Sequence, residues 1–521
     1  MALENETKNQ RRTRRWVSSW LARPGAAGGL LAATLWVLGL LLTALVMLVF
    51  VLSLVVTHRL PWQIKDSNEH LADIVKLAFA ALAGLGGAVA LVVAYRRQRD
   101  IEINRFTEQF GVAASQLGGT TAAVRLAGAY AMAALADEWT TRRQPCIDVL
   151  CAYLRLPYSG NPDDAQLMTV TSEHSWSETS DNQAQAKEQR IFQFQPNDRE
   201  VRHTIIRIIR DHLRDRVKVG WQDRDFDFTG AMFDGSVNFK SVRFSGATVS
   251  FSGARFSGDT VDFGGAEFSG DTVDFSGAKF SADHVSFSAA TFSGGTVDFS
   301  AATFSGGTVD FSAAMFSGGD TVIFRGAKFS GDTVNFGKAE FSRPFVSFVG
   351  AEFSVDTVNF MYARFSGGTV NFNAAEFPGG SVSFFEAKFS GSTVYTSSAK
   401  FSGNEVGFFG AEFSGGSVYF RQAEFSGDKV DFSHARFSGG SVYFGGEKLA
   451  DDIVNFNTNF GDARFSGGPV TFREAEFSGG TVTFARDPID NGTVGFNAEQ
   501  LAAGVITVDG RPLRTVASPP Q

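Results

Sequence analysis

The chain has 521 residues, too many for one ordinary core, and its 53 Phe, 56 Gly and only 13 Pro exclude a disordered proline-rich polypeptide. All but six of the phenylalanines lie after residue 220, which no ordinary globular domain requires. The formal net charge of −8 is uneven: the first hundred residues are basic and the part after residue 220 carries about −13, a split that bears on association rather than on fold.

Residues 1–25 form a basic tail. Residues 26–56 are apolar and uncharged, longer than the roughly 20 needed to cross a bilayer and with no small-residue cleavage site, so they are expected to form a first transmembrane helix. A short external loop is expected at 57–73, with Trp62 as an interfacial anchor. Residues 74–95 are expected to form a second transmembrane helix, with Lys76 at its start reaching toward the head groups. Lys8, Arg11, Arg12, Arg14, Arg15 and Arg23 precede the first span, and Arg96, Arg97, Arg99 and Arg105 come after the second. The loop between holds only Arg59 and Lys65, so both termini are expected on the cytoplasmic side of a multi-pass plasma-membrane protein.

Residues 96–156 read as a helical juxtamembrane block. Ala122 to Ala136 is small and apolar nearly all round, and Cys146 to Leu156 repeats its apolar positions at helical spacing. Cys146 and Cys151 stand five apart, off a common helix face, and are expected to be buried thiols rather than a metal pair. Residues 157–190 are polar without an apolar period and are expected to form a flexible insert. An amphipathic helix is expected within 191–220, capping the repeats that begin at 221; its His203 and His212 fall on roughly opposite sides.

From 221 to 500 the chain repeats, and 501–521 are left as a C-terminal cap and tail. Phe251, Phe256, Phe263, Phe268, Phe275, Phe280 and Phe287 step by five, then seven, without a miss up to Phe316. A small residue stands two before each, alternately Ala (Ala254, Ala266) and Val (Val261, Val273). Side chains two apart share one face of an extended segment, and the intervening Ser-Gly and Gly-Asp pairs are turn chemistry, so the rings are expected to stack in inner columns. The register breaks where Phe239 comes six after Phe233, at Asp320, at Thr396 and Leu449 in Phe slots, and between Phe456 and Phe465; corner bulges are expected there.

The segments VRLAGAYAMAALADEW, CIDVLCAYLRLPY and EVRHTIIRIIRDHL, together with the Ala/Val-x-Phe repeat, resemble bacterial membrane-anchored proteins with C-terminal pentapeptide repeats; the first also looks like a helix of the HEAT or armadillo type. The resemblance implies a right-handed quadrilateral β-helix behind a two-helix transmembrane anchor and an α-helical juxtamembrane segment, in the inner membrane of a bacterial cell. Four sides per coil is inherited from the family; with the alternating five and seven steps it makes a coil of 24 residues.

At that spacing Tyr395, Tyr419 and Tyr443 share one outward column with Asn371, the candidate interaction surface. Asp262, Asp274, Asp298 and Asp310 also point outward, beside Arg255, Lys279, Lys328, Lys388 and Lys400. The repeats hold only His284 and His434, no Cys and no phosphate-binding glycine motif, so no catalytic, cofactor or metal residues are assigned and no enzyme is expected. The expected partners are the lipid bilayer and an unidentified cytosolic protein, with self-association left open and nucleic acid not expected. The expected role is a scaffold; its alternative is a DNA-mimic modulator of a topoisomerase.

Overall fold

A computed structural model describes residues 68–158, 198–215, 217–319, 321–342, 345–425, 429–445 and 458–465, several short strands elsewhere, and a few residues between 43 and 54. The chain divides into two units, Met1–Thr107 and Glu108–Gln521. Helix α1 (Asn68–Leu117) is continuous and contains the expected second span. Among the described residues no helix is long and apolar enough to cross a membrane, so a second span at 74–95 gains no support from the structure. The expected first span lies almost wholly outside the described residues, as do Asp320, Leu449 and Phe456.

In the second unit, helix α2 (Ala122–Glu138) opens with Thr121, whose hydroxyl accepts a hydrogen bond from the Val124 amide. Its Gly128 lies against the backbone of Gln116 and Leu117, where a Cβ would come within 2.3 Å of the Leu117 nitrogen; only glycine permits that approach. Helix α3 (Arg143–Arg155) buries Cys146, Ile147, Leu150, Cys151 and Leu154. Both cysteines are free and buried, and burial pushes the Cys146 thiol up to about 11 and Cys151 higher still.

The polar stretch expected to be a flexible insert is not wholly irregular. It carries strand β1 (Leu167–Glu173), paired antiparallel with strand β2 (Lys187–Phe192). The absence of an apolar period hid this pair, whose β1 is rich in Thr and Val, residues suited to strands whatever their burial. Helix α4 (Asp198–Leu213) buries Val201, Ile205, Ile208, Ile209 and Leu213 along one face.

From Phe226 onward the chain winds into a parallel β-solenoid with four walls. Wall 1 starts at Phe226–Asp227 and Thr248–Ser250, wall 2 at Met232–Phe233 and Arg255–Phe256. Wall 3 starts at Val237–Asn238 and Thr260–Asp262, wall 4 at Arg243–Phe244 and Glu267–Phe268. Among the described residues the walls hold twelve, nine, thirteen and ten strands respectively. Pairing is one coil to the next, Phe268 with Phe292 and Val273 with Val297, which makes the coil 24 residues. Near Asp320 the partner lies one residue further on, as in Val297 with Val322; across 446–457 it lies four further on, as in Phe437 with Phe465. At the start, Phe233 pairs with Phe256, one residue short. The one-residue shifts fall between strands, so the walls keep their faces there, whereas wall 1 carries a bulge within Val442–Gly445, where the register shifts between Tyr443 and Gly445.

Most of the described solenoid strands are two or three residues long, just enough, with the small residue at or before their start, to turn Val or Ala and Phe inward. Phe275 stacks on Phe299 with centroids 4.9 Å apart and planes 2° apart, and meets Phe287 edge-on at 5.5 Å and 86°. The coil rise of about 4.8 Å suits both backbone pairing and ring stacking, so one spacing satisfies the polar and apolar parts together. Corners need a left-handed residue. Glycine fills it at Gly253 (φ 63°), but Ala289, Ala301 and Ala313 adopt φ 53–54° despite their Cβ. Thr396 is buried in a phenylalanine slot and donates its hydroxyl hydrogen to the Tyr419 carbonyl at 2.9 Å.

Helices α2, α3 and α4 lie at the first coil. Arg143 donates to the Gly220 carbonyl at 2.9 Å, Gln144 exchanges two hydrogen bonds with the Asp225 backbone, and Arg155 pairs with Asp227. Trp221 is fully buried, stacks on His212 at 4.0 Å and donates to Asp137 at 2.8 Å. At the far end Ile506–Val508 turns back to pair antiparallel with Arg511–Pro512.

Candidate interaction surface

Each wall strand sends alternate side chains outward, and the coil repeat lines these up into columns. On wall 1, Asn371 pairs in register with Tyr395, Tyr395 with Tyr419 and Tyr419 with Tyr443. Successive tyrosine rings are 5.0 Å apart with planes 6° apart. The rings are half-buried rather than fully exposed because each covers the faces of its neighbours. The part that reaches solvent is a row of ring edges and hydroxyls, and Arg421 lies over the Tyr443 ring at 5.4 Å.

A second aromatic column runs along the corner between walls 3 and 4 and was not identified in the sequence. Tyr362 meets Phe385 at 5.6 Å, Phe385 stacks on Phe409 at 5.4 Å, and Phe409 meets His434 at 4.8 Å. Its signal was the doublets Phe384-Phe385 and Phe408-Phe409, 24 apart, in which the first ring is buried and the second is turned outward by the corner.

The outward acidic residues serve the corners. Asp262, Asp274, Asp298 and Asp310 are half-buried, and each accepts a hydrogen bond from the backbone N–H two residues on, at 2.7, 2.7, 2.7 and 2.9 Å. This is the Asx turn, in which the carboxylate replaces a backbone acceptor. Asn335, Asn359 and Asn371 do the same at 2.9, 2.8 and 2.9 Å. A stripe of free carboxylates imitating a phosphate backbone is therefore not what these positions present.

Walls 2 and 4 carry most of the exposed charge, neutralised along the axis. On wall 2 Lys328 pairs with Glu352 at 3.4 Å and Lys400 with Glu376 at 3.1 Å. On wall 4 Arg243 pairs with Glu267 at 2.7 Å and Arg364 with Glu340 at 3.3 Å; Lys388 and Arg436 flank Glu412 at 3.3 and 3.6 Å. Arg255 and Lys279 also stand exposed on wall 2. Exposed pairs of this kind contribute about 0–1 kcal/mol each but prevent a one-sign field.

Wall 1 differs. From Thr321 to Tyr443 its outward positions are Thr321, Ile323, Phe345, Ser347, Thr369, Asn371, Thr393, Tyr395, Ser417, Tyr419, Ser441 and Tyr443, with no charge among them. Depletion of charge with enrichment of aromatics is the compositional mark of an interface core.

The two histidines of α4 are far apart in role. His203 contacts Asp234 at 3.1 Å, and the same carboxylate receives the Tyr158 hydroxyl at 2.8 Å and Arg199 at 3.2 Å. Burial alone would raise the Asp234 carboxyl, but the hydrogen bonds from His203 and Tyr158 and the charge of Arg199 outweigh it and hold the group below the usual carboxylate range. His212 faces Ile208 and Asp137 instead, at 2.7 and 3.2 Å. The Asp234 contacts tie α4 to the first coil, while those of His212 join α4 to α2; among the described residues no group of His, Cys, Asp and Glu could hold a metal ion.

Four walls, a small residue two before most inward phenylalanines and a 24-residue coil describe the repeat. The chain carries pentapeptide repeats. Residues 228–279 match a family model described as pentapeptide repeats (9 copies). No curated protein and no solved structure matches the chain. A pentapeptide-repeat solenoid is a protein-interaction type of module, and such solenoids are generally non-enzymatic.

Proposed function

We propose that the chain is a non-enzymatic, membrane-tethered scaffold whose pentapeptide-repeat rod offers wall 1 to a protein partner in the cytoplasm. The observation that carries the interaction half is the uncharged wall from Thr321 to Tyr443, ending in the stacked Tyr395, Tyr419 and Tyr443. The tether is inferred from the apolar stretches 26–56 and 74–95 with basic residues outside both, as in a bacterial inner-membrane protein. The exposed Val89, Leu91, Val92 and Val93 on α1 add to that inference. Covalent cross-linking in native membranes from a photoreactive group at position 419 should trap a protein, and Tyr419→Ala should lower the yield of the same partner in chemical cross-linking. Equal recovery with Tyr419→Ala would remove wall 1 as the contact. Release of the chain by alkaline carbonate would remove the tether.

A further inference from the structure

We infer that the occupant of wall 1 is wall 1 of a second copy, the two rods lying side by side, parallel and in register. The inference rests on the proposal that wall 1 is a protein contact, and names the protein. Three observations lead to it.

The first is repeat matching. The outward residues of wall 1 recur once per coil, and its tyrosine rings are 5.0 Å apart. An extended peptide laid along the rod presents same-face side chains about every 6.6 Å and falls out of step within a few rungs. A surface that stays in step over the six rungs from Thr321 to Tyr443, about 24 Å, must itself repeat at the strand spacing. The rod is such a surface.

The second is charge. Two identical rods in parallel register, related by a two-fold axis along their length, place each residue at the height of its own copy. Any wall with charges would then set like against like: Arg364 on Arg364, Lys388 on Lys388 and Glu412 on Glu412 for wall 4, and Lys328, Glu352 and Glu376 likewise for wall 2. Such juxtaposition opposes association strongly. Wall 3 carries Glu405, Lys429 and Asp431. The outward strand positions of wall 1 carry no charge across six consecutive rungs, with Arg421 reaching over the Tyr443 ring at the last, so wall 1 meets itself in register with the least like-charge contact over that length.

The third is shape. The corner leading into wall 1 is Ser366-Gly367-Gly368, Ser414-Gly415-Gly416 and Ser438-Gly439-Gly440 in three of its coils, small and uncharged, so at those coils no side chain holds a neighbouring rod away; Asp320 and Arg343 stand in the corner sequence of the first two rungs. The tyrosines have their faces covered by each other, which removes them as stacking platforms for nucleobases and leaves edges and hydroxyls to meet a second wall.

Full-length chain in detergent micelles, with its mass measured by sedimentation equilibrium at matched detergent density, should run at twice the 56.1 kDa chain. Tyr419→Arg and Tyr419→Asp should each weaken the dimer by about a hundredfold or more, with unchanged thermal unfolding. An equimolar mixture of the two should restore it, because residue 419 then faces its opposite charge. Arg364→Glu, on wall 4, should leave the mass unchanged. A mixture that stays monomeric would overturn the in-register pairing, as would a wild-type monomer. If the wild type is a monomer and position 419 still cross-links a different protein, self-pairing fails while the interaction reading stands; if it cross-links nothing, both fail.

Discussion

Thr396 interrupts an otherwise continuous column of rings, and the interruption can be filled. Phe348 stacks on Phe372 at 4.8 Å and Phe420 on Phe444 at 4.8 Å, but Thr396 stands between Phe372 and Phe420. The variant Thr396→Phe would bury one more ring, which stabilises by roughly 1.5–3 kcal/mol. It would also gain stacked neighbours on two sides at about 0.5–1.5 kcal/mol each beyond burial. Against this stands the hydrogen bond from Thr396 to the Tyr419 carbonyl, 2.9 Å long and about 1 kcal/mol net. The balance is about 3 kcal/mol of added stability, confined to neighbouring coils because each coil touches only the next. Amide hydrogen exchange is the fitting assay: protection of the strands Thr369–Asn371, Thr393–Tyr395 and Val418–Phe420 should rise by about two powers of ten, with the first coils unaffected. Unchanged or lower protection in those strands would mean that the walls have closed over the smaller side chain, and the column argument would fail at this rung.

Ala301→Gly should raise stability by up to about 1 kcal/mol, read from urea unfolding, since a φ of 54° strains an alanine and not a glycine. Asp234 supplies a pH dependence. Its carboxyl is held below the ordinary value of about 3.9, so its contribution is fully present above that pH and is lost as the pH falls through the lower folded value. Exchange protection of α4 should therefore drop on acidification below about pH 4, and Asp234→Asn should weaken α4 at neutral pH and flatten that dependence. The buried thiols Cys146 and Cys151 should resist a disulfide-forming thiol reagent in the native chain and react on unfolding; prompt reaction of the folded chain would contradict their packing.

The features legible without coordinates were those that depend on position along one coil. Phe275 and Val273 are two apart, and that alone places them on one side of a strand. The step from Phe275 to Phe299 is the coil itself, so the inner columns emerge once 24 is assumed. Corners were harder. Phe385 and Phe409 stand next to inward rings, where alternation within a strand no longer holds and the left-handed residue at Glu386 or Gly410 turns the chain. The same corner geometry folds Asp262 and Asp298 back onto amides, so residues that looked like free surface charge are turn acceptors. The hydrogen bonds of His203 to Asp234 and of His212 to Asp137 span 31 and 75 residues, and no local pattern encodes them.

The corner absorbs an extra residue without disturbing a wall, as the one-residue slip between Val297 and Val322 shows. A whole unit can be added the same way. Duplication of about 24 residues would lengthen the rod by one layer, about 4.8 Å, while every side chain kept its wall and both ends kept their covers. Reach from the helical end is thus adjustable in fixed increments, and lineages of this chain should differ in length by multiples of a coil: the solenoid is a ruler whose graduations are written in the gene.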